Sequence, residues 1–149
     1  MKNKSITAIK GLLVITFLLH LGSCKKEAGE GGTSTISGKV TVFNYDNNAF
    51  QCCPDTFAAR DQDVFIIYGG EGAAYDDDVK TTFDGTYEFK YLQKGKYRIF
   101  AYTEDSTGAY NGTAGTQYRP DLPVFVEVEI TGKNQTIVGP EIFILQTEN

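Results

Sequence analysis

Residues 82–103 read TFDGTYEFKYLQKGKYRIFAYT, and this stretch decides the fold that the sequence predicts. Apolar residues alternate with other residues along it, and the pairs Asp84-Gly85 and Lys94-Gly95 interrupt the alternation. Such alternation is typical of half-buried strands, and a polar residue followed by glycine is typical of a tight turn. The stretch therefore predicts a hairpin of two strands, around which further strands stack.

The rest of the chain continues the same pattern and shows no amphipathic helical stripe after residue 35. The predicted strands are residues 36–44, 63–68, 79–83, 86–92, 96–103, 124–131 and 136–145, the last interrupted at Gly139-Pro140. Strand 63–68 is apolar on both faces, which favours a central position in its sheet. Short strands separated by turn signals predict an all-β fold, a seven-stranded antiparallel β-sandwich over residues 36–146.

The first 23 residues have the pattern of a signal peptide and are not expected to join the fold. Three lysines precede an apolar segment, residues 11–21, that is short for a membrane span. The segment ends in Leu21-Gly22-Ser23-Cys24, which resembles the lipobox of bacterial lipoproteins, so Cys24 is the predicted lipidation site. The alternative is a plain signal peptide with an incidental cysteine. Residues 24–35, with many Gly, Ser and Thr, predict a flexible tether.

Removal of the signal peptide changes the charge and the available chemistry. It takes three of the 14 basic residues and leaves 11 against 19 acidic residues, which disfavours nucleic acid as a partner. It also removes His20, the single histidine, and with it catalytic triads and zinc sites that need histidine. A membrane partner is therefore expected through the acyl chains on Cys24. A lysine directly after that cysteine, Lys25, resembles the sequence of outer-membrane lipoproteins. The sequence is compatible with a domain on either the periplasmic or the outer face of that membrane.

The motif DGxYxFxxLxxGxY at residues 84–97 resembles carboxypeptidase-regulatory-like and transthyretin-like (prealbumin-like) modules, and is similar to Cna-B-type repeats. Gly85 allows a positive φ, Tyr87 and Phe89 face the core, and Tyr97 buries its ring while its hydroxyl reaches backbone or solvent. The resemblance implies a prealbumin-like sandwich in an accessory, adhesive or spacer role. Transthyretin-related hydrolases rely on histidines, so the resemblance does not extend to their activity.

Three groups of residues are candidates for chemistry or binding. Cys52 and Cys53 are adjacent, and a vicinal bridge or free thiols are favoured over a metal or redox site, with pairing to another chain also open. Asp76, Asp77 and Asp78 offer oxygen ligands for Ca²⁺, although such acidic loops are usually solvated and no other cofactor is indicated.

The third group is a set of residues on or beside the long patternless segment 104–123. Its members suit stacking on a sugar or gripping an extended peptide, and the alternative is that they cover one end of the sandwich. They are Tyr102, Tyr110, Asn111, Tyr118 and Arg119.

These observations predict a membrane-anchored lipoprotein whose domain is a non-enzymatic binding or accessory module. Its partner would be another envelope protein in an assembly or a surface ligand. The alternative is a carbohydrate-binding or adhesive surface protein, and an enzyme built on carboxylates is the third class.

Overall fold

The computed structural model describes residues 28–44, 55–72, 74–105 and 121–146, which form two β-sheets packed against a shared core. Nine strands lie in this part of the chain, and it contains no helix capable of crossing a membrane. The strands are β1 (Glu30–Asn44), β2 (Asp55–Ala58), β3 (Asp63–Tyr68), β4 (Asp77–Lys80), β5 (Thr86–Leu92), β6 (Gly95–Glu104), β7 (Asp121–Ile130), β8 (Thr136–Val138) and β9 (Ile142–Gln146). The predicted all-β sandwich is confirmed.

One sheet is organised around β1, the longest strand. β1 pairs antiparallel with β2 and β5, and parallel with β8 and β9. The other sheet has the order β4-β3-β6-β7, with every pairing antiparallel. The structure thus differs from a seven-stranded antiparallel arrangement in two details. Residues 55–58 add a strand, and the two strands on either side of Gly139-Pro140 run parallel to β1, a direction that alternation alone does not reveal.

The predicted hairpin at residues 86–103 is wrong in one respect, because β5 and β6 belong to different sheets. β5 pairs with β1, whereas β6 pairs with β3 and β7, so the chain crosses from one sheet to the other at Gln93-Lys94. The buried sides of the two strands, including Tyr87 on β5 and Tyr97 on β6, both contribute to the shared core. A strand with one buried side alternates in the same way whether its successor lies beside it or across the core.

The bounds of two strands, β1 and β4, also differ from the prediction. β1 begins at Glu30, so residues 30–35, predicted as tether, are strand. β4 occupies Asp77–Lys80 instead of residues 79–83, and Thr81, whose N–H donates to the carbonyl of Gln62 (2.9 Å), directly follows it.

The turn before β5 confirms the expected role of Gly85. Gly85 has φ +80°, and a Cβ at this position would lie 2.5 Å from the carbonyl oxygen of Val40. Hydrogen bonds from the Thr82 and Thr86 side chains lower the pKa of the Asp84 carboxyl in the same turn. Glycine is therefore required both by the left-handed backbone and by close contact with β1.

The core lies between the sheets and receives the inward side chains of both. Its fully buried members include Tyr97 and the aliphatic residues Ile36, Val40, Val42, Val64, Ile66, Ile99, Ile130, Ile142 and Ile144. The alternation predicted for these strands is therefore observed, and the opposite sides of the same strands are left to form the outer surfaces of the sandwich.

Candidate functional site

A cluster of five aromatic side chains lies on the outer surface of the β4-β3-β6-β7 sheet. Strand register places Phe65 opposite Phe100 and Phe100 opposite Phe125, so three rings cross three strands in a row. Tyr102, two residues after Phe100, lies on the same side of β6. Tyr75, just before β4, completes the cluster through its contact with Phe65. We call Phe65, Tyr75, Phe100, Tyr102 and Phe125 the aromatic face.

The rings of the aromatic face contact one another continuously. The Phe65 ring centroid lies 4.7 Å from that of Tyr75, 5.1 Å from that of Phe100 and 5.6 Å from that of Tyr102. The Phe100 centroid lies 5.5 Å from that of Tyr102 and 5.0 Å from that of Phe125. These separations are favourable for aromatic pairs, each of which stabilises by about 0.5–1.5 kcal/mol beyond the area it buries.

The aromatic face has a buried floor and an exposed rim. Phe100 is only 5% exposed, because its neighbours on β3 and β7 enclose it. Tyr75, Tyr102 and Phe125 remain 51%, 40% and 41% exposed. The floor fixes the rim rings on a rigid sheet, so their free surface is already arranged for contact with a ligand.

Charged side chains border the aromatic face on β6 and β7. The guanidinium carbon of Arg98 lies 4.0 Å from the centroid of the Phe125 ring, a cation–π contact. Register places Arg98 opposite Glu127 and Lys96 opposite Glu129. These side chains, with Glu71, line a cleft of about 400 Å³ next to the rings. The surface therefore joins an apolar platform to a polar cleft with both signs of charge.

The three aspartates proposed for calcium do not act together. Asp76 accepts a 2.7 Å hydrogen bond from the N–H of Tyr68, and Asp77 accepts one of 2.9 Å from the N–H of Asp78. Asp77 and Asp78 are opposite Ile66 and Phe65 respectively, so consecutive positions place them on opposite sides of β4. Among residues 28–44, 55–72, 74–105 and 121–146, no three acidic, cysteine or histidine side chains form a group that could hold a metal ion.

The same carboxylates affect a neighbouring tyrosine. Burial, followed by the charges of Glu30, Asp77 and Asp76, raises the pKa of Tyr68 to about 12. Asp76 and Asp77 therefore have structural and electrostatic roles at the β3–β4 edge, while Asp78 shares the outer surface with Phe65.

Of the residues predicted for ligand binding, the structure places Tyr102 on the aromatic face. Cys24, Cys52, Cys53, Tyr110, Asn111, Tyr118 and Arg119, like the signal peptide, lie outside the described residues. Four of these residues, Tyr110, Asn111, Tyr118 and Arg119, lie between β6 and β7 in the sequence. The last residue of β6, Glu104, is paired in register with the first residue of β7, Asp121.

Sequence reasoning missed Phe65, Tyr75, Phe100, Phe125 and Arg98. A signal for three of them was present, because Phe65, Phe100 and Phe125 occupy the outward positions of strands whose inward positions are also apolar. In a two-layer sandwich only one side of each strand faces the core. Apolar residues on the other side of a strand therefore indicate a surface that can bind another molecule.

Comparison with known proteins yields likeness in fold but no family. No model of a protein family matches the chain, and no curated protein matches it either. One solved structure that resembles it is a proposed carbohydrate-binding protein from Pseudomonas aeruginosa, with a TM-score of 0.47, 12% identity, and 80% of this chain and 92% of that chain covered. Another is (S)-allantoin synthase, with a TM-score of 0.33, 13% identity, and 75% of this chain and 41% of that chain covered.

Proposed function

We propose that this protein is a non-enzymatic binding module, anchored to the outer membrane through lipid on Cys24, and that its aromatic face takes a carbohydrate. The observation that carries the proposal is the exposed rim of Tyr75, Tyr102 and Phe125 beside the Arg98 cleft. Of the roles predicted from the sequence, this is the alternative, a carbohydrate-binding surface protein.

The chemistry of the surface suits a sugar ring. One side of a pyranose carries C–H groups, which pack on an aromatic ring, while its edges carry hydroxyls that need hydrogen-bond partners. The rim rings supply the apolar contact, and Arg98, Glu127 and the Tyr102 hydroxyl supply donors and acceptors around it. Binding sites commonly combine an apolar lining with a few polar groups in this way.

Support for a non-enzymatic role comes from the residue inventory. The single histidine, His20, lies in the predicted signal peptide, so the processed chain has no imidazole for general acid–base chemistry. Across the cleft, the basic Lys96 and Arg98 of β6 are opposite the acidic Glu129 and Glu127 of β7, a balance of charge that favours recognition of a polar neutral ligand.

The proposal is tested by glycan-array screening of the purified protein, followed by titration of the glycans that bind. We expect Tyr102→Ala and Phe125→Ala to weaken binding by about tenfold or more, equivalent to about 1.4 kcal/mol. Phe83→Ala is the matched control, because Phe83 is 80% exposed but lies outside the aromatic face. No glycan binding, or equal losses in all three variants, would overturn the proposed role of the aromatic face.

Anchoring is tested separately by intact mass and by detergent phase partitioning. The wild-type protein is expected to carry the mass of the acyl chains and to enter the detergent phase, whereas Cys24→Ser is expected to do neither. A stoichiometric protein partner recovered after gentle extraction, with no glycan bound, would instead favour the assembly role.

A further inference from the structure

The chain enters the sandwich through a fixed segment at Ala28 and Gly29. The N–H of Gly29 donates to the hydroxyl of Tyr97 (3.1 Å), and the carbonyl of Gly29 accepts from the N–H of Gln93 (2.8 Å). Ala28 packs so closely on Gly95 that a Cβ there would lie 2.6 Å from the Ala28 Cβ. The folded domain therefore includes Ala28 and Gly29, well before the start predicted from the sequence at residue 36.

This position leaves very little chain between the domain and the proposed lipid. Only Lys25, Lys26 and Glu27 separate Cys24 from Ala28. Four residue steps span at most about 14 Å when fully extended. A tether of that length cannot lift the domain clear of the head-group layer or let it turn its far end toward the bilayer.

We propose that the end of the sandwich around Ala28 rests against the phosphates of the lipid head groups, an inference that rests on lipidation of Cys24 in the proposed function. Lys94 and Lys133 line one shallow pocket at this end, together with Gly31 and Gly32. Both lysines are exposed, and neither forms an ion pair among the described residues. Each lysine near an anionic lipid surface contributes about 1 kcal/mol.

Two acidic side chains, Glu30 and Asp76, lie near Ala28 and oppose this contact, whereas other acidic groups lie too far away to do so. Charges more than about 10 Å from the surface are largely screened at ordinary salt concentrations. Lys94 and Lys133 lie beside the segment that leads to Cys24, whereas the Asp63 carboxylate and the Glu104–Asp121 pair lie at the opposite ends of their strands. β6 alone has ten residues, which separates the two ends by about 30 Å.

The arrangement also orients the aromatic face. Phe100 and Tyr102 lie in the half of β6 that is farther from Gly95, and Tyr102 is opposite Pro123 near the start of β7. The aromatic face is then on a side wall of the anchored domain, nearer its distal end, where a ligand can approach without meeting the bilayer.

The proposal can be tested by lysine footprinting of the full lipidated protein in vesicles of phosphatidylethanolamine and phosphatidylglycerol. The Cys24→Ser protein, mixed with the same vesicles, is the unanchored reference. We expect acylation of Lys94 and Lys133 to be several-fold slower in the anchored protein. Lys80, at the distal end beside Asp63, is expected to react equally in both proteins.

A variant with a long Gly/Ser insertion between Glu27 and Ala28 sharpens the test. It keeps the lipid and the folded domain but frees the domain to tumble, so Lys94 and Lys133 should recover their reactivity. The orientation would be overturned if the ratio of labelling in the anchored protein to labelling in the unanchored protein were the same for all three lysines. Selective protection of Lys80 in the anchored protein would also overturn it. Failure of the wild type to float with vesicles would overturn anchoring and orientation together, and would leave the glycan result on the aromatic face unaffected.

Discussion

The N–H of Gly29 donates a hydrogen bond of 3.1 Å to the hydroxyl oxygen of Tyr97, a residue 68 positions later in the chain. The same hydroxyl donates to the carbonyl of Gln93 at 2.7 Å. Tyr97 is fully buried, so this pair of bonds is shielded from water and joins the chain entry point to the crossing between the two sheets. One phenol group thus links two segments that lie far apart in the sequence, the start of the domain at Gly29 and the connection between β5 and β6.

The first prediction compares two buried tyrosines by removal of the hydroxyl alone. Tyr97→Phe leaves the Gly29 N–H and the Gln93 carbonyl without this partner and is expected to cost about 1–2 kcal/mol. Within the described part of the chain the buried Tyr87 hydroxyl has no hydrogen-bond partner, so Tyr87→Phe is expected to be neutral or stabilising. Urea unfolding of both variants provides the measurement. A larger loss for Tyr87→Phe than for Tyr97→Phe would contradict this assignment.

The second prediction concerns the glycine under Ala28. Gly95→Ala places a Cβ 2.6 Å from the Ala28 Cβ at a φ of +151°, and is expected to destabilise by about 2 kcal/mol or more. Gly69→Ala is the matched control, because Gly69 also has a positive φ, +78°, but open space around it. Its expected cost is about 1 kcal/mol, from the left-handed backbone alone. Equal melting temperatures for the two variants would contradict the prediction, because they would show that Ala28 moves away from the added Cβ without loss of stability.

The third prediction concerns stability at high pH. Burial raises the pKa of Tyr87 to about 12, whereas a tyrosine in the unfolded chain ionises near pH 10. The unfolded state therefore loses its proton first, so the contribution of Tyr87 is complete below about pH 10 and declines as pH rises toward about 12. Tyr87→Phe should lose less stability than the wild type across this window in denaturant titrations. Parallel losses in the two proteins would refute the prediction.

The fourth prediction separates a structural from a metal-binding role for Asp76. Asp76→Ala removes the acceptor of the Tyr68 N–H and is expected to cost on the order of 1 kcal/mol. Asp78→Ala is the control on the outer side of β4 and is expected to cost less. Thermal melts with and without millimolar calcium should give the same midpoints for each protein. A calcium-dependent rise in the wild type that Asp76→Ala abolishes would restore the metal site.

Much of the fold could be predicted from alternation because burial of one strand side imposes it directly. The bounds predicted for β3 and β5 are those observed, and the interruption at Gly139-Pro140 separates β8 from β9 as expected. Proline lacks the N–H that a strand ladder needs, so this break was readable from the residue type.

The parts that could not be predicted depend on partners far away in the chain. Gly31 and Gly32 resemble a linker, yet they lie within β1, in an irregularity between Glu30 and Ser34, both of which pair with Leu92 of β5. Likewise, no local signal shows whether β6 pairs with β5 or packs across from it. Local composition reports the intrinsic preference of a segment, whereas the start of β1 and the pairing of β6 both depend on contacts with distant parts of the chain.

The candidate site was only partly predictable for a similar reason. Tyr102 was singled out because it precedes an unusual segment, whereas Phe65 and Phe125 become one surface only when β6 lies between β3 and β7. Sixty residues separate these two phenylalanines in the sequence. Their proximity follows from strand order, which the alternation of each strand does not contain.

The pairing of β1 with β8 and β9, strands that come much later in the sequence, affects how the protein folds during synthesis. Thr35 and Ile36 pair with Thr136 and Ile137, and Val40 with Ile142, so the central strand of one sheet waits for partners that are synthesised about 100 residues later. Pairings this distant in sequence slow folding, because the long intervening chain must be ordered before they form. The nascent chain therefore cannot complete this sheet until β8 and β9 have emerged from the ribosome.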